Sequence, residues 1–215
     1  MSSKTFHSNE ELLEVLCERH PNIPSLSTDE LNLSQNFVIQ GWSKYLEMLH
    51  GPIYPLLVKE FWKNASAKFD GSSVSSIVFG NPITITPATI AAVIGCTQTG
   101  VTVEGHRFNS PLIENANTIF DLFVWYQPTN LNNFQPIAKV WFELVLSNFR
   151  PRGINLDTLT HDDRLLIHLL VNRERVNLPQ TIFNHLRYSI VVSREEYHSF
   201  IHLEGSSPNF SSKQR

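Results

Sequence analysis

Two adjacent carboxylates are the first place to look for chemistry, because paired acids can share a divalent metal or a proton. Asp162-Asp163 is such a pair. It follows Thr160-His161 and precedes the apolar run 165–171, where a helix starts and where Asp is favoured by capping and by the helix dipole. The pair therefore reads as a helix start. A metal-dependent strand-transfer site needs three converging carboxylates on a mixed sheet, and only one short hairpin is legible here. Asp70-Gly71-Ser72 has the residue types of an aspartic-protease loop, but in the wrong order and in one copy, so it reads as a turn.

His198 and His202 are four apart, as two metal ligands on one helical face would be, yet no His-Glu-x-x-His surrounds them and no third ligand is near. They read as surface histidines. His168 lies inside an apolar run and reads as a hydrogen-bonded core or boundary histidine rather than a base. Cys17 and Cys96 are the two cysteines; neither has a neighbouring His or basic cluster, and both read as small apolar residues of a reducing compartment. A zinc knuckle needs three cysteines, so it is excluded. Neither a Gly-Lys-Ser/Thr phosphate loop nor a Gly-x-Gly-x-x-Gly occurs. No catalytic residue, metal ligand or cofactor follows from these residues, and the expectation is a protein that is not an enzyme.

Six arginines in the C-terminal third, Arg150, Arg152, Arg164, Arg173, Arg175 and Arg187, are the nearest thing to a basic patch. Helices could gather them on one face as phosphate contacts, against the plainer reading of a solvated helical surface. The net charge of -3, with nine histidines neutral, supplies no global attraction for nucleic acid, so such binding would have to be local.

Residues of this kind must be held by a core, and 215 residues with 41% hydrophobic and 17% charged content are enough for one domain of ordinary size. Fourteen phenylalanines against nine glycines argue against disorder. The first residues carry no apolar leader and no run of about 18 apolar residues appears, so a secreted or membrane-spanning protein is not expected.

Ser8-Asn9-Glu10-Glu11 has capping-box spacing before Leu12, Leu13, Val15 and Leu16, which predicts a first helix ending at Pro21. Phe37, Val38, Trp42, Tyr45, Leu46 and Leu49 predict a second, ending near Gly51-Pro52. Pro55 opens a third over 54–65. Residues 74–79 and 83–86 around Gly80-Asn81-Pro82 predict a hairpin. Thr86 as cap, Pro87 at the first position and Gly95 as left-handed stop delimit a short helix. A long loop over 97–109 follows, with Val101 to Val103 as a further short strand. Helices are then expected over 117–126, over 137–149, from Thr160 through Val171, from Pro179 to Val191, and over 193–202.

Three ordered stretches resemble the plant transposon protein family over about residues 42–192. They are Ile53-Tyr54-Pro55-Leu56-Leu57-Val58-Lys59-Glu60-Phe61-Trp62-Lys63-Asn64; Val78-Phe79-Gly80-Asn81-Pro82-Ile83-Thr84-Ile85-Thr86-Pro87-Ala88-Thr89-Ile90; and residues 159–170 with Val176-Asn177-Leu178-Pro179-Gln180-Thr181-Ile182. The hairpin-to-helix unit ending in Ile94-Gly95 is also similar to the plant mobile domain. The resemblance implies a plant LTR-retroelement origin and brings no catalytic residue with it.

The combined expectation is a mainly α protein: residues 1–7 disordered, 8–203 a single helical domain of about eight or nine helices with one small β-hairpin, and 204–215 a flexible tail. Its expected work is non-enzymatic protein interaction or assembly, through a protein partner or self-association, inside the cell, nucleus or cytoplasm. The alternatives are a nucleic-acid-binding module using the arginines and a divergent transposase-like enzyme.

Overall fold

The computed structural model describes residues 33–49, 51–52, 54–103, 135–150 and 160–205. In chain order these form α1 (Leu33–Gln40), α2 (Ser43–Met48), α3 (Pro55–Asn64), β1 (Ser66–Ala67), β2 (Val74–Val78), β3 (Asn81–Ile85), α4 (Pro87–Ile94), α5 (Pro136–Leu144), a π-helical turn (Val145–Phe149), α6 (His161–Val171) and α7 (Leu178–Gly205). The fold is mainly helical, with seven α-helices among the described residues rather than eight or nine. The helices expected near 8–20 and 117–126, the N-terminal residues 1–7 and the tail beyond Gly205 lie outside the described residues.

Local chemistry sets the helix ends. Thr86 accepts from the Thr89 backbone N–H at 3.2 Å while its own N–H donates to Thr89 Oγ1 at 2.8 Å, a reciprocal cap at the start of α4. Gly95, at φ +68°, closes the same helix in the left-handed conformation. Thr86→Ala should lower stability by about 1 kcal/mol in urea denaturation with the slope unchanged.

Two expectations about continuity are corrected. The predicted second helix is two helices, because Gly41 takes φ +73° and the Gly41 and Trp42 N–H groups turn back onto Val38 and Phe37 carbonyls. Conversely, the helices predicted at 179–191 and 193–202 are one, α7, since neither Gly nor Pro interrupts the chain between Gln180 and Glu204.

The hairpin is the larger part of a three-stranded antiparallel sheet in the order β1-β2-β3, with Val74 opposite Ile85 and Val78 opposite Asn81. β1, too short to show an alternation, was not legible in the sequence. Val74, Ser76 and Val78 face inward from β2, and Ser76 Oγ donates to the Phe61 carbonyl at 2.7 Å. Beneath the sheet Ala65, Val74, Phe183 and Ile190 form a small apolar cluster that ties it to α7.

The main core lies between α1, α2, α5, the π-helical turn, α6 and the start of α7. Five aromatic rings link its front half: Phe37 meets Trp42 at 6.1 Å and Trp141 at 5.5 Å, and Phe149 meets Trp42 at 5.0 Å and Tyr45 at 5.7 Å. Ring pairs at these separations add specificity to the area they bury. The sequence predicts one α-helix through Phe149; its last turn is π-helical instead, and places Val145, Leu146, Asn148 and Phe149 in the core together.

Candidate functional site

The Asp162-Asp163 pair is committed to structure. Asp163 is fully buried; its Oδ2 accepts from the Thr160 N–H at 2.8 Å and the Thr160 hydroxyl at 2.6 Å, while the Asp163 N–H donates to Thr160 Oγ1. This is the capping box that opens α6. At the end of the π-helical turn Arg150 extends to both acids, 3.3 Å from Asp162 and 3.3 Å from Asp163. A guanidinium between the two carboxylates occupies the place that a metal ion would need.

The six candidate arginines have different surroundings. Arg150 is mostly buried and held in that ion pair, which leaves it poorly placed as a phosphate contact. Arg152 lies outside the described residues. Arg164 is half-buried beside Asp163; burial lowers its pKa, and Asp163 offsets part of the effect. Arg187 is half-buried with its guanidinium against Gly71 in the β1–β2 turn. Among the described ones, Arg173 and Arg175 alone stand exposed, on one turn between α6 and α7.

That turn is held on two sides. Gln40, buried at the end of α1, donates from Nε2 to the Glu174 carbonyl at 2.6 Å and accepts from the Val176 N–H at 3.0 Å, so its amide pairs as a peptide group would. On the other side Val101 forms a parallel bridge with Val176: the Val101 N–H donates to the Arg175 carbonyl at 2.7 Å and the Asn177 N–H to the Val101 carbonyl at 3.0 Å. The strand expected at 101–103 is reduced to this single bridge. Gly100, at φ +112°, lets the two backbones approach, since a Cβ there would lie 2.5 Å from the Arg175 carbonyl oxygen. Arg173 itself closes α6 at φ +59°, its N–H on Leu170 and that of Glu174 on Leu169.

The remaining sequence candidates have ordinary surroundings. Asp70 Oδ1 accepts from the Ser72 hydroxyl at 2.6 Å and the Ser72 N–H at 2.9 Å, and these bonds pull its carboxyl down to about 2. It is a turn residue. His168 is mostly buried beside Asn172, and burial pushes its pKa down, with Glu174 acting weakly the other way. Burial pushes the Cys96 thiol up to about 11, the opposite of what a nucleophile needs. Cys17 lies outside the described residues, as do the side chains of His198 and His202. Among the described residues no helix is long and apolar enough to cross a membrane.

A group of exposed apolar side chains also emerges that no motif announced, with Ile77 and Ile83 on opposite faces of the sheet. α3 is joined to β2 by Asn64 Nδ2 donating to the Ile77 carbonyl at 2.8 Å, and the joined unit exposes Tyr54, Leu56, Trp62, Ile77, Phe79 and Ile83. At the hairpin tip Phe79 and Gly80 both take positive φ, 47° and 81°, a two-residue turn of the kind usually made from Asn-Gly. A phenylalanine there is a costly choice for the backbone, and it is 62% exposed.

A protein-family model described as "Putative plant retrotransposon-related domain" matches residues 39–201. No curated protein and no solved structure matches the chain.

Proposed function

The chain belongs to the plant retrotransposon-related domain family, and from that premise we propose that it is a non-enzymatic interaction or assembly domain working through the exposed apolar unit of α3 and the β2–β3 hairpin. Leu56 is 73% exposed and Phe79 62%, on elements fixed to each other by side-chain hydrogen bonds. Isolated surface apolar residues need no explanation, but several on one rigid unit, one of them at a backbone conformation that disfavours it, point to contact with another protein. That grouping carries the reading. The commitment of Asp162 and Asp163 to Thr160 and Arg150 favours a role without catalysis.

Size-exclusion chromatography with light scattering tests self-association, and a pull-down from plant extract tests for other partners. The full chain should elute above monomer mass or retain a defined partner, and Leu56→Asp with Phe79→Asp should abolish either behaviour. Aspartate tolerates positive φ better than phenylalanine, so the hairpin should still form. A strict monomer that retains nothing lost by the double variant would falsify the reading.

A further inference from the structure

We propose that Arg173 and Arg175, with Lys44 and the hydroxyls of Thr97 and Thr99, form a contact surface for the phosphate backbone of a nucleic acid. The proposal is independent of the exposed apolar group. Its members come from three segments that the fold brings to one ridge. Val101 and Asn177 join the 97–101 loop to the arginine turn through Val101 N–H to Arg175, Asn177 N–H to Val101, and Asn177 Nδ2 to the Gln98 carbonyl at 3.0 Å. Gln40 fastens the same turn to α1. Lys44, exposed on α2, lays its stem over Gly95 and acts electrostatically on Cys96, beside the start of the loop.

Charge and donors on this ridge suit phosphate. Among the described residues of these segments, three cations stand against Glu174 and, further along α2, Glu47, a local positive excess on a chain of net charge -3. Thr97 and Thr99 hydroxyls lie 2.8 Å apart, so one proton of the pair is free to donate outward. Guanidinium, ammonium and threonine hydroxyl are the groups that contact phosphate oxygens in nucleic-acid complexes. The backbone conformation of Arg173 adds an independent sign. Glycine is the preferred residue at that helix-end position, yet an exposed arginine stands there, a locally unfavourable choice that a role for its charge explains. None of the residues 97–100, 173–175 or Lys44 is aromatic, so no ring is offered for base stacking and the contact should read backbone without sequence.

The test is fluorescence anisotropy of the full chain with a labelled DNA duplex and with labelled polyuridine RNA across a salt series, with polyglutamate as competitor. Binding is expected to be indifferent to sequence and to weaken steeply with salt. Arg173→Gln with Arg175→Gln should reduce affinity about tenfold or more at low salt and flatten the logarithmic salt slope by about 2. Arg173→Gly guards against misfolding: it should raise the melting temperature by about 2–4 °C while still weakening binding. Absence of binding to either nucleic acid, or binding that both arginine variants leave unchanged, overturns the proposal. So does polyglutamate displacing the nucleic acid at equal charge concentration, which would mark an acidic-peptide surface instead.

Discussion

Arg150→Met is expected to remove about 3–5 kcal/mol of folding stability, the usual cost of leaving buried charge without its partner. Asp163 is fully buried and Asp162 nearly so, and the Arg150 side chain between them is only 12% exposed, so solvent replaces its charge poorly. Against a total stability of about 5–15 kcal/mol, a loss of this size is a large fraction of the whole. Urea denaturation would read it as a lower midpoint at unchanged slope. Adding Asp162→Asn to Arg150→Met should recover part of the loss, because the variant then buries one charge fewer. If Arg150→Met lies within about 1 kcal/mol of the parent, the range of exposed ion pairs, the three groups are not a buried unit.

Trp141→Ala should cost about 3–5 kcal/mol, the range for deleting a large aromatic side chain from a packed interior. Trp141 has no solvent exposure and packs against Phe37, which in turn meets Trp42. The cavity would therefore open at the junction of α1 and α5. Its indole N–H has no hydrogen-bond partner among the described residues, which separates two explanations for the loss. If packing decides, Trp141→Phe should cost much less than the alanine variant, since it keeps most of the ring and relieves the buried donor. A phenylalanine variant as unstable as the alanine variant would instead mean that the shape and N–H of the indole, not its bulk, hold the junction.

Sequence was most informative where a single residue has a strong local preference. Thr86-Pro87 and Gly95 mark α4 at both ends, and Thr160 with Asp163 marks the start of α6, because caps act within one turn. It failed where the competing signal was a periodicity that ran through a break. The apolar spacing from Phe37 to Leu49 continues across Gly41, and only the positive φ of that glycine, a property of the fold, divides the helix. The same limit applies to sites. Six arginines in one third of the chain look alike in sequence, and the separation of the five described ones into buried pair, half-buried stem and exposed turn depends on contacts with Asp162, Asp163 and Gly71. Gln40 was not legible at all, since its two partners are distant backbone groups and no local pattern announces them.

That distance has a consequence for how the protein comes into being. The Gln40 amide reaches the Val176 N–H across 136 residues, and Asn177 reaches Gln98 across 79. Contacts so separated form only after the intervening chain has been ordered, and they weigh on the folding rate more than on the final stability. During synthesis, then, no nascent chain shorter than these partners can complete the arginine turn. The surface it supports becomes available only at the end of folding, so a truncated product would lack it, as it would lack the α7 residues Phe183 and Ile190 that pack beneath the sheet.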